Sequence, residues 1–274
     1  MEKYSVLISL YIKENPEFLD VAIGSMIKQS YTPDEIVIVK DGPISKELQG
    51  VLDRYVGEYP SIFTIVGYAN NRGLGFALNY GLKYCRNELV ARMDTDDISV
   101  LSRCEQQVQY FMNHPEVDIV SGDISEFIDS PSNIVGYRKL PCSNSDIVDY
   151  MKYRCALNHV AVMFRKSAVL AAGSYQDWFW NEDYYLWIRM VLNGCVFANT
   201  GSVLVNVRTG KDVYARRGGM KYFRSEIDLQ KYMLRNKIIG YPTFVSNWMK
   251  RFIVQVLLPN KVRGFVFRTF ARDK

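Results

Sequence analysis

Three carboxylates within four positions, in Asp94-Thr95-Asp96-Asp97, are the residues of this sequence best suited to chemistry. Like charges this close repel one another unless a cation is present. Oxygen ligands without histidine or cysteine are typical of Mg²⁺ or Mn²⁺, which also accept phosphate oxygens from a substrate. The sequence therefore predicts a divalent cation that binds a diphosphate. The structural alternative is a helix N-cap cluster before Ser99.

A second acidic pair, Glu182-Asp183, opens a helical pattern that carries Tyr184 and Trp187. Apolar packing of that helix would hold the pair in place. A fixed carboxylate can take a proton from an attacking hydroxyl as a general base. Asp183 is the preferred base and Glu182 the second candidate. A helix cap, with Asn181 as a competing cap residue, is the structural alternative.

Alternating strand and helix patterns must position these acidic groups. Strand-like runs cover Ser5–Leu10, Glu35–Val39, Ile62–Val66, Leu89–Met93 and Val117–Ser121, with helical stripes between them. This alternation predicts βαβ units, hence an α/β protein with an open parallel sheet. Ligands bind such sheets at the carboxyl ends of the strands, so the polar turns at 10–14, 40–42 and 94–97 should share one edge.

The second half of the sequence is less regular. Strand-like runs cover Ile134–Leu140, Val160–Arg165 and Val203–Val207, and Glu182–Leu192 is helical. Two further helices are expected near residues 220–236 and 243–257.

Composition and charge limit the class of protein. Hydrophobic residues make up 48% of the 274 residues, which predicts a packed core. The five cysteines are widely spaced and include no C-x-x-C pair, which argues against disulfides and zinc and for the cytoplasm. Residues 211–274 hold 15 basic and 4 acidic residues, whereas residues 1–210 hold 19 and 25. We expect a catalytic domain over 1–210 and a basic helical appendage over 211–274.

The appendage contains a basic loop and an amphipathic helix. Arg216 and Arg217 could neutralise charge on a departing diphosphate when the loop closes, although a solvated loop is the alternative. From Tyr241 to Leu257, apolar and polar residues separate onto opposite helical faces. That composition is typical of a segment on an anionic membrane surface, and a helix closing the core is the alternative. No nucleic-acid-binding module is visible, so nucleic acid is not an expected partner.

Five motifs in order resemble glycosyltransferase family 2. They are SVLISLY, EIVIVKDGP, NNRGLGFALNYGL, ELVARMDTDD and NEDYYLWIRM, within residues 4–210. The resemblance is closest to bacterial enzymes that build O-antigen and exopolysaccharide repeat units. It implies a GT-A type, Rossmann-like open mixed sheet with helices on both faces. It also implies inverting transfer from a nucleotide-sugar donor to a glycan acceptor, often carried on a polyprenyl diphosphate at the inner membrane surface.

The resemblance implies roles for residues that would bind the nucleotide. Leu10 and Tyr11 would contact the base, and Asp41 would hydrogen-bond uracil. Arg72 would touch the base or the ribose. One departure from the family pattern stands at Lys40, where a second aspartate is more common.

The resemblance also assigns the two acidic clusters. Asp94 would face the ribose, Asp96 would hold the metal on the diphosphate, and Asp183 would be the catalytic base. Together with the residue chemistry, this predicts a metal-dependent enzyme using Mn²⁺ or Mg²⁺. It would move a hexose, with or without an N-acetyl group, from a donor of the UDP-Gal or UDP-Glc type to a lipid-linked glycan. Its location would be peripheral, on the inner face of the bacterial plasma membrane.

Three other classes of protein are alternatives to this prediction. A nicotinamide-binding oxidoreductase is disfavoured because Gly73-x-Gly75 is followed by Leu78 where a third glycine is needed. An aspartyl phosphatase motif would need Thr or Val where Ile98 stands. A non-catalytic nucleotide- or glycan-binding protein stays open, and it would bind a nucleotide sugar without releasing a nucleoside diphosphate.

Overall fold

The computed structural model describes residues 1–210, 218–259 and 262. Within these residues, nine strands form one sheet: β1 (Tyr4–Leu10), β2 (Glu35–Asp41), β3 (Phe63–Tyr68), β4 (Leu89–Met93), β5 (Ile98–Ser99), β6 (Ile119–Phe127), β7 (Ile134–Arg138), β8 (Met163–Arg165) and β9 (Phe197–Arg208). The strand order is β3-β2-β1-β4-β8-β6-β9-β5, and β7 pairs with β6.

Nine α-helices accompany the sheet in the described residues: α1 (Pro16–Ile27), α2 (Lys46–Glu58), α3 (Leu74–Leu82), α4 (Arg103–Asn113), α5 (Asn144–Met151), α6 (Lys166–Ala171), α7 (Glu182–Leu192), α8 (Met220–Arg235) and α9 (Tyr241–Phe252). A short 3₁₀ helix covers His159–Ala161, and a π-helical turn, Ile253–Leu257, follows α9. The helices α1 and α2 begin at side-chain caps, with Asn15 and Ser45 accepting backbone N–H bonds.

The first half of the sheet is parallel, as the alternating pattern predicts. The strand β1 pairs in parallel with β2 and β4, and β2 pairs in parallel with β3. Leu10 lies opposite Lys40, and Ile8 lies opposite Met93. The turns after β1, β2 and β4 therefore meet at one edge of the sheet, where the sequence places its polar residues.

The second half of the sheet departs from the parallel prediction. The strand β8 runs antiparallel between β4 and β6, and β5 and β7 are antiparallel to their neighbours. Local patterns identify elements but not their partners, and β8 and β5 are too short to show a period. The helix expected from Ser99 begins at Arg103, because Ile98 and Ser99 pair with β9. The mixed open sheet implied by the family resemblance is confirmed.

Two apolar layers cover the sheet, one on each face. The helices α1, α2 and α4 pack on one face, through side chains such as Ile23 and Phe111. The helices α3, α5, α6, α7 and α8 pack on the other, around Trp187. Leu229 and Met233 of α8 lie in this second layer. Part of the segment after residue 210 therefore packs on the body of the protein.

Candidate active site

Three carboxylates converge where β4 ends. One oxygen from each of Asp94, Asp96 and Asp97 lies within 4.8 Å of the others. Asp97 is buried, and Asp94 and Asp96 are half-buried. The apolar strand β4 fixes this turn because all five of its residues are buried.

Two arginines partly compensate this negative charge. Arg92, within β4 and 2% exposed, forms an ion pair with Asp94. The backbone N–H of Arg208, at the end of β9, donates to Asp97 Oδ1 at 2.8 Å. The Arg208 side chain donates through Nε to the carbonyl oxygen of Asp96 at 3.2 Å. These contacts hold the turn in one conformation and leave carboxylate oxygens facing one another.

The carboxyl pKa values show that the compensation is incomplete. Burial, followed by the charge of Asp94, raises the pKa of Asp96 to about 6. Burial and the charges of both neighbouring carboxylates raise the pKa of Asp97 well above its usual range. A set of crowded oxygen donors in this state fits a hard divalent cation, which would relieve the repulsion. These residues therefore fit Mg²⁺ or Mn²⁺.

Two buried polar side chains, on the helix α4 that follows the turn, bind the backbone of the neighbouring strands. Arg103 is fully buried and donates to the carbonyl oxygens of Arg92 (2.7 Å) and Val162 (3.2 Å). Gln107 donates to the carbonyl oxygens of Val120 and Ala161. Sequence reasoning missed these residues. Both side chains donate to backbone carbonyl oxygens, which any residue type offers, so the sequence carries no signal for these contacts.

Asp183 shares a cavity with two members of this carboxylate cluster, whereas Asp96 is not among the described residues that line it. A cavity of about 760 Å³ is lined by Asp94, Asp97 and Asp183. Glu182 is not among the described residues that line it; its Cβ lies against Gly75 of α3. The two acidic regions, about ninety positions apart in sequence, therefore open into one space, and Asp183 rather than Glu182 faces it.

His159 lies beside Asp183 in the same cavity. Its Nδ1 is 4.0 Å from Asp183 Oδ2, and its Nε2 is 2.9 Å from the Tyr175 hydroxyl. Burial, followed by the charge of Arg92, lowers the pKa of His159 well below its usual range. The imidazole is therefore neutral at pH 7. Burial also raises the pKa of Asp183, whose Oδ1 accepts the backbone N–H of Tyr184 at 2.7 Å.

Asp41 organises the loop expected to meet the nucleotide. Its Oδ1 accepts from the Tyr68 hydroxyl (2.8 Å) and the Arg72 N–H (2.7 Å). Its Oδ2 accepts from the Asn71 side chain (2.9 Å) and the Gly73 N–H (3.0 Å). Four donors occupy the lone pairs of one carboxylate. Asp41 thus fastens residues 71–73 to the end of β2.

The other expected nucleotide residues lie at the same sheet edge. Leu10, the last residue of β1, is fully buried. Tyr11 follows it, half-buried, and the exposed Arg72 guanidinium stacks on Phe76 at 3.5 Å. None of these residues, nor Asp41, is among the described residues that line the Asp183 cavity. Arg216 and Arg217 lie outside the described residues.

The fold is α/β with a mixed open sheet, and carboxylates from two distant parts of the chain line one cavity. The family model "Glycosyl transferase family 2" matches residues 5–173. The chain therefore belongs to glycosyltransferase family 2, as its ordered motifs predict, and is a transferase of that family.

Two relatives and one solved structure illustrate the similarity. The UDP-Gal:alpha-D-GlcNAc-diphosphoundecaprenol beta-1,3-galactosyltransferase of Escherichia coli is 39% identical over 98% of this chain and 97% of its own. The amylovoran biosynthesis glycosyltransferase AmsE of Erwinia amylovora is 40% identical over 96% and 97%. The mannosyltransferase PcManGT from Pyrobaculum calidifontis, solved with GDP-Man and Mn²⁺, has a TM-score of 0.63 at 16% identity, covering 96% of this chain and 72% of that one.

Among the described residues, every helix is too short or too polar to cross a bilayer.

Glu182→Gln is expected to change how stability depends on pH. Burial and the charge of Asp183 raise the pKa of Glu182 to about 7 from an ordinary value of 4.5. The unfolded chain therefore releases this proton first, and stability falls as pH rises from about 4.5 through about 7. Gln cannot ionise, so the variant should gain about 1–3 kcal/mol relative to wild type across this interval.

Thermal unfolding at pH 5 and pH 8 measures this effect. The Tm of Glu182→Gln minus that of wild type should be more positive at pH 8. Glu58→Gln, which removes an exposed carboxylate from α2, is the control. A constant Tm difference at both pH values would show that Glu182 does not titrate in this interval.

Proposed function

We propose that this protein is a metal-dependent, inverting glycosyltransferase that moves a hexose from a UDP-sugar to a lipid-linked glycan. The observation that carries the proposal is the single cavity lined by Asp94, Asp97 and Asp183. A diphosphate-binding cluster and a candidate base must face the same space if the base is to act on a hydroxyl next to the sugar.

Asp96 and Asp94 are the proposed ligands of Mn²⁺ or Mg²⁺, and buried Asp97 supports the turn that carries them. When bound, the cation would neutralise charge on the departing diphosphate. Leu10, Tyr11, Asp41, Arg72 and Asp94 are proposed to bind the nucleoside, and Arg216 and Arg217 the diphosphate.

Because the Asp41 oxygens already accept four bonds, a base contact would require one donor to be exchanged. In this structure Asp41 holds the backbone of Arg72 in place instead of being free for a base.

Asp183 is the proposed base, with Glu182 as the second candidate. The acceptor hydroxyl would donate its proton to Asp183 while the hydroxyl oxygen attacks the anomeric carbon and the C–O bond to UDP breaks. Burial, which raises the pKa of Asp183, makes it a better proton acceptor than an exposed aspartate. In-line attack turns an α-linked donor into a β-linked product.

The acceptor and donor proposals draw on the E. coli relative, whose name gives UDP-Gal as donor and a diphosphoundecaprenol-linked GlcNAc as acceptor. We therefore take UDP-Gal and a sugar carried on a polyprenyl diphosphate as the first substrates to test. Trp180, 50% exposed at the cavity and stacked on Phe179, offers a face for an acceptor sugar ring. The pathway proposed is synthesis of a bacterial surface polysaccharide such as O-antigen or exopolysaccharide.

Peripheral membrane association is proposed for the segment after residue 210, on the inner face of the plasma membrane. Met249 and Leu257 are 50% and 60% exposed on α9 and the π-helical turn. The division into a catalytic domain over 1–210 and a membrane-binding segment over 211–274 stays a proposal. Since α8 packs in the second core layer, the membrane-facing part would begin with α9.

Asp183→Asn should retain donor binding and lose turnover. The amide cannot accept the hydroxyl proton, so kcat should fall by about 10²–10⁴-fold. UDP released from UDP-Gal with a GlcNAc-diphosphate-alkyl acceptor and Mn²⁺ measures turnover, and calorimetry measures UDP affinity. Asp53→Asn, on the exposed face of α2, is the matched control.

Two results would contradict this assignment. Wild-type protein that binds UDP-Gal and acceptor but releases no UDP would favour the non-catalytic binding protein. A variant whose UDP affinity falls as much as its kcat would remove Asp183 from the role of base.

Met249→Asp/Leu257→Asp should weaken membrane binding. Two carboxylates would replace apolar surface and repel an anionic leaflet, so the partition coefficient should fall by about tenfold or more. Flotation with vesicles containing anionic phospholipid is the measurement. Met112→Asp/Leu170→Asp, similarly exposed on α4 and α6, is the control. Equal binding of both double variants would refute a membrane role for α9.

A further inference from the structure

One wall of the cavity that Asp183 lines ends in a basic region, at Arg154. Arg154, Cys155, Leu157, Asn158, His159 and Val160 all line it. This wall runs from His159, beside Asp183, to Arg154, which is half-buried. Five residues of chain limit the separation of the two ends to about 17 Å.

Two hydrogen bonds fasten the basic end of this wall to α9. Asn247 donates through Nδ2 to the carbonyl oxygen of Lys152 at 2.9 Å. Arg251 donates through Nη2 to the carbonyl oxygen of Tyr153 at 2.8 Å. Asn247 is buried, and it also donates to Gln230 of α8 at 2.8 Å. The backbone next to Arg154 is therefore held against the helix that carries Lys250, which lines the same cavity.

The three cationic side chains at this end of the wall differ in whether an acidic side chain neutralises them. Arg251 forms an ion pair with Glu226 at 2.6 Å, so one carboxylate neutralises it. Arg154 and Lys250 have no acidic side chain within 4.0 Å in residues 1–210, 218–259 and 262. Two cations at the edge of a cavity, one of them half-buried, form a site for an anionic group with two or more charges.

We propose that Arg154 and Lys250 bind the diphosphate of a lipid-linked acceptor, so that the acceptor sugar lies between them and Asp183. This inference rests on the proposed function, whose donor diphosphate belongs at the carboxylate cluster. Two diphosphates repel each other, so the second requires cations of its own at a different place. Arg154 and Lys250 line the same cavity as Asp183, and within the described residues neither forms an ion pair with the carboxylate cluster.

The outer surface of α9 continues the same path. Met249, adjacent to Lys250, and Leu257 on the following turn present exposed apolar side chains. A polyprenyl chain attached to a diphosphate at Lys250 could leave the cavity along these side chains. The diphosphate of such an acceptor would thus meet the cations, and the polyprenyl chain attached to it would meet the neighbouring apolar side chains.

The double variant Arg154→Ala/Lys250→Ala tests this site. With UDP-Gal and Mn²⁺, the KM for a GlcNAc-diphosphate-alkyl acceptor should rise by about ten- to a hundredfold, because two charge-assisted contacts are lost. The KM for UDP-Gal should stay within about twofold. Lys83→Ala/Arg235→Ala removes the same charges from exposed positions just after α3 and on α8, outside the cavity lining, and should leave both values unchanged.

A neutral alkyl glycoside of GlcNAc separates diphosphate recognition from sugar recognition. Measured as a competing ligand, it should inhibit wild type and the Arg154→Ala/Lys250→Ala variant with the same constant. Arg154→Lys/Lys250→Arg, which preserves charge, should recover most of the acceptor affinity.

Three outcomes would overturn the acceptor site. They are an unchanged acceptor KM, a rise in acceptor KM no larger than in the control variant, and an equal loss of affinity for the neutral glycoside. A wild-type protein without any transferase activity would instead contradict the proposed function, and the two failures are therefore distinguishable. Thermal unfolding of each variant checks that it is folded.

Discussion

The crowding of three carboxylates at the end of β4 is the constraint on which the rest of the site depends. A buried or half-buried aspartate is costly unless its charge is compensated. Arg92 compensates Asp94, and a single backbone N–H reaches Asp97. Burial first, and then the charges of neighbouring carboxylates, raise the pKa values of Asp96 and Asp97. The turn is therefore built for a positive ligand and is held rigid by Arg103 behind it.

The two halves of the sheet contribute different parts of the candidate site. The parallel half brings the ends of β1, β2 and β4 to one edge, where Asp41 orders the loop at 71–73. The mixed half supplies the opposite side, through β9 with Arg208 and the segment before β8 with His159. Helix α7 then places Asp183 at the cavity, and α9 closes its outer end.

Much of this arrangement was predictable from sequence because it is local. The apolar runs of β1, β2 and β4 carry their own patterns, and α7 spans the expected residues. Strand partners were not predictable, since β8 has three residues and pairs with strands distant in sequence. The contact of Arg103 with the carbonyl oxygen of Val162 and the contact of His159 with Asp183 likewise join residues far apart in sequence. The charge at Arg154 has no local signal, because its position depends on α9.

The central claim is that Asp94 and Asp96 hold a divalent cation on a nucleotide diphosphate next to the cavity that Asp183 faces. Crystals grown with UDP and Mn²⁺ test it most directly, through anomalous scattering at the manganese edge. The account predicts one strong peak that is bonded to an oxygen of Asp96 and to phosphate oxygens of UDP. UDP bound at this edge of the sheet with manganese elsewhere, or with no manganese peak at the cluster, would contradict it.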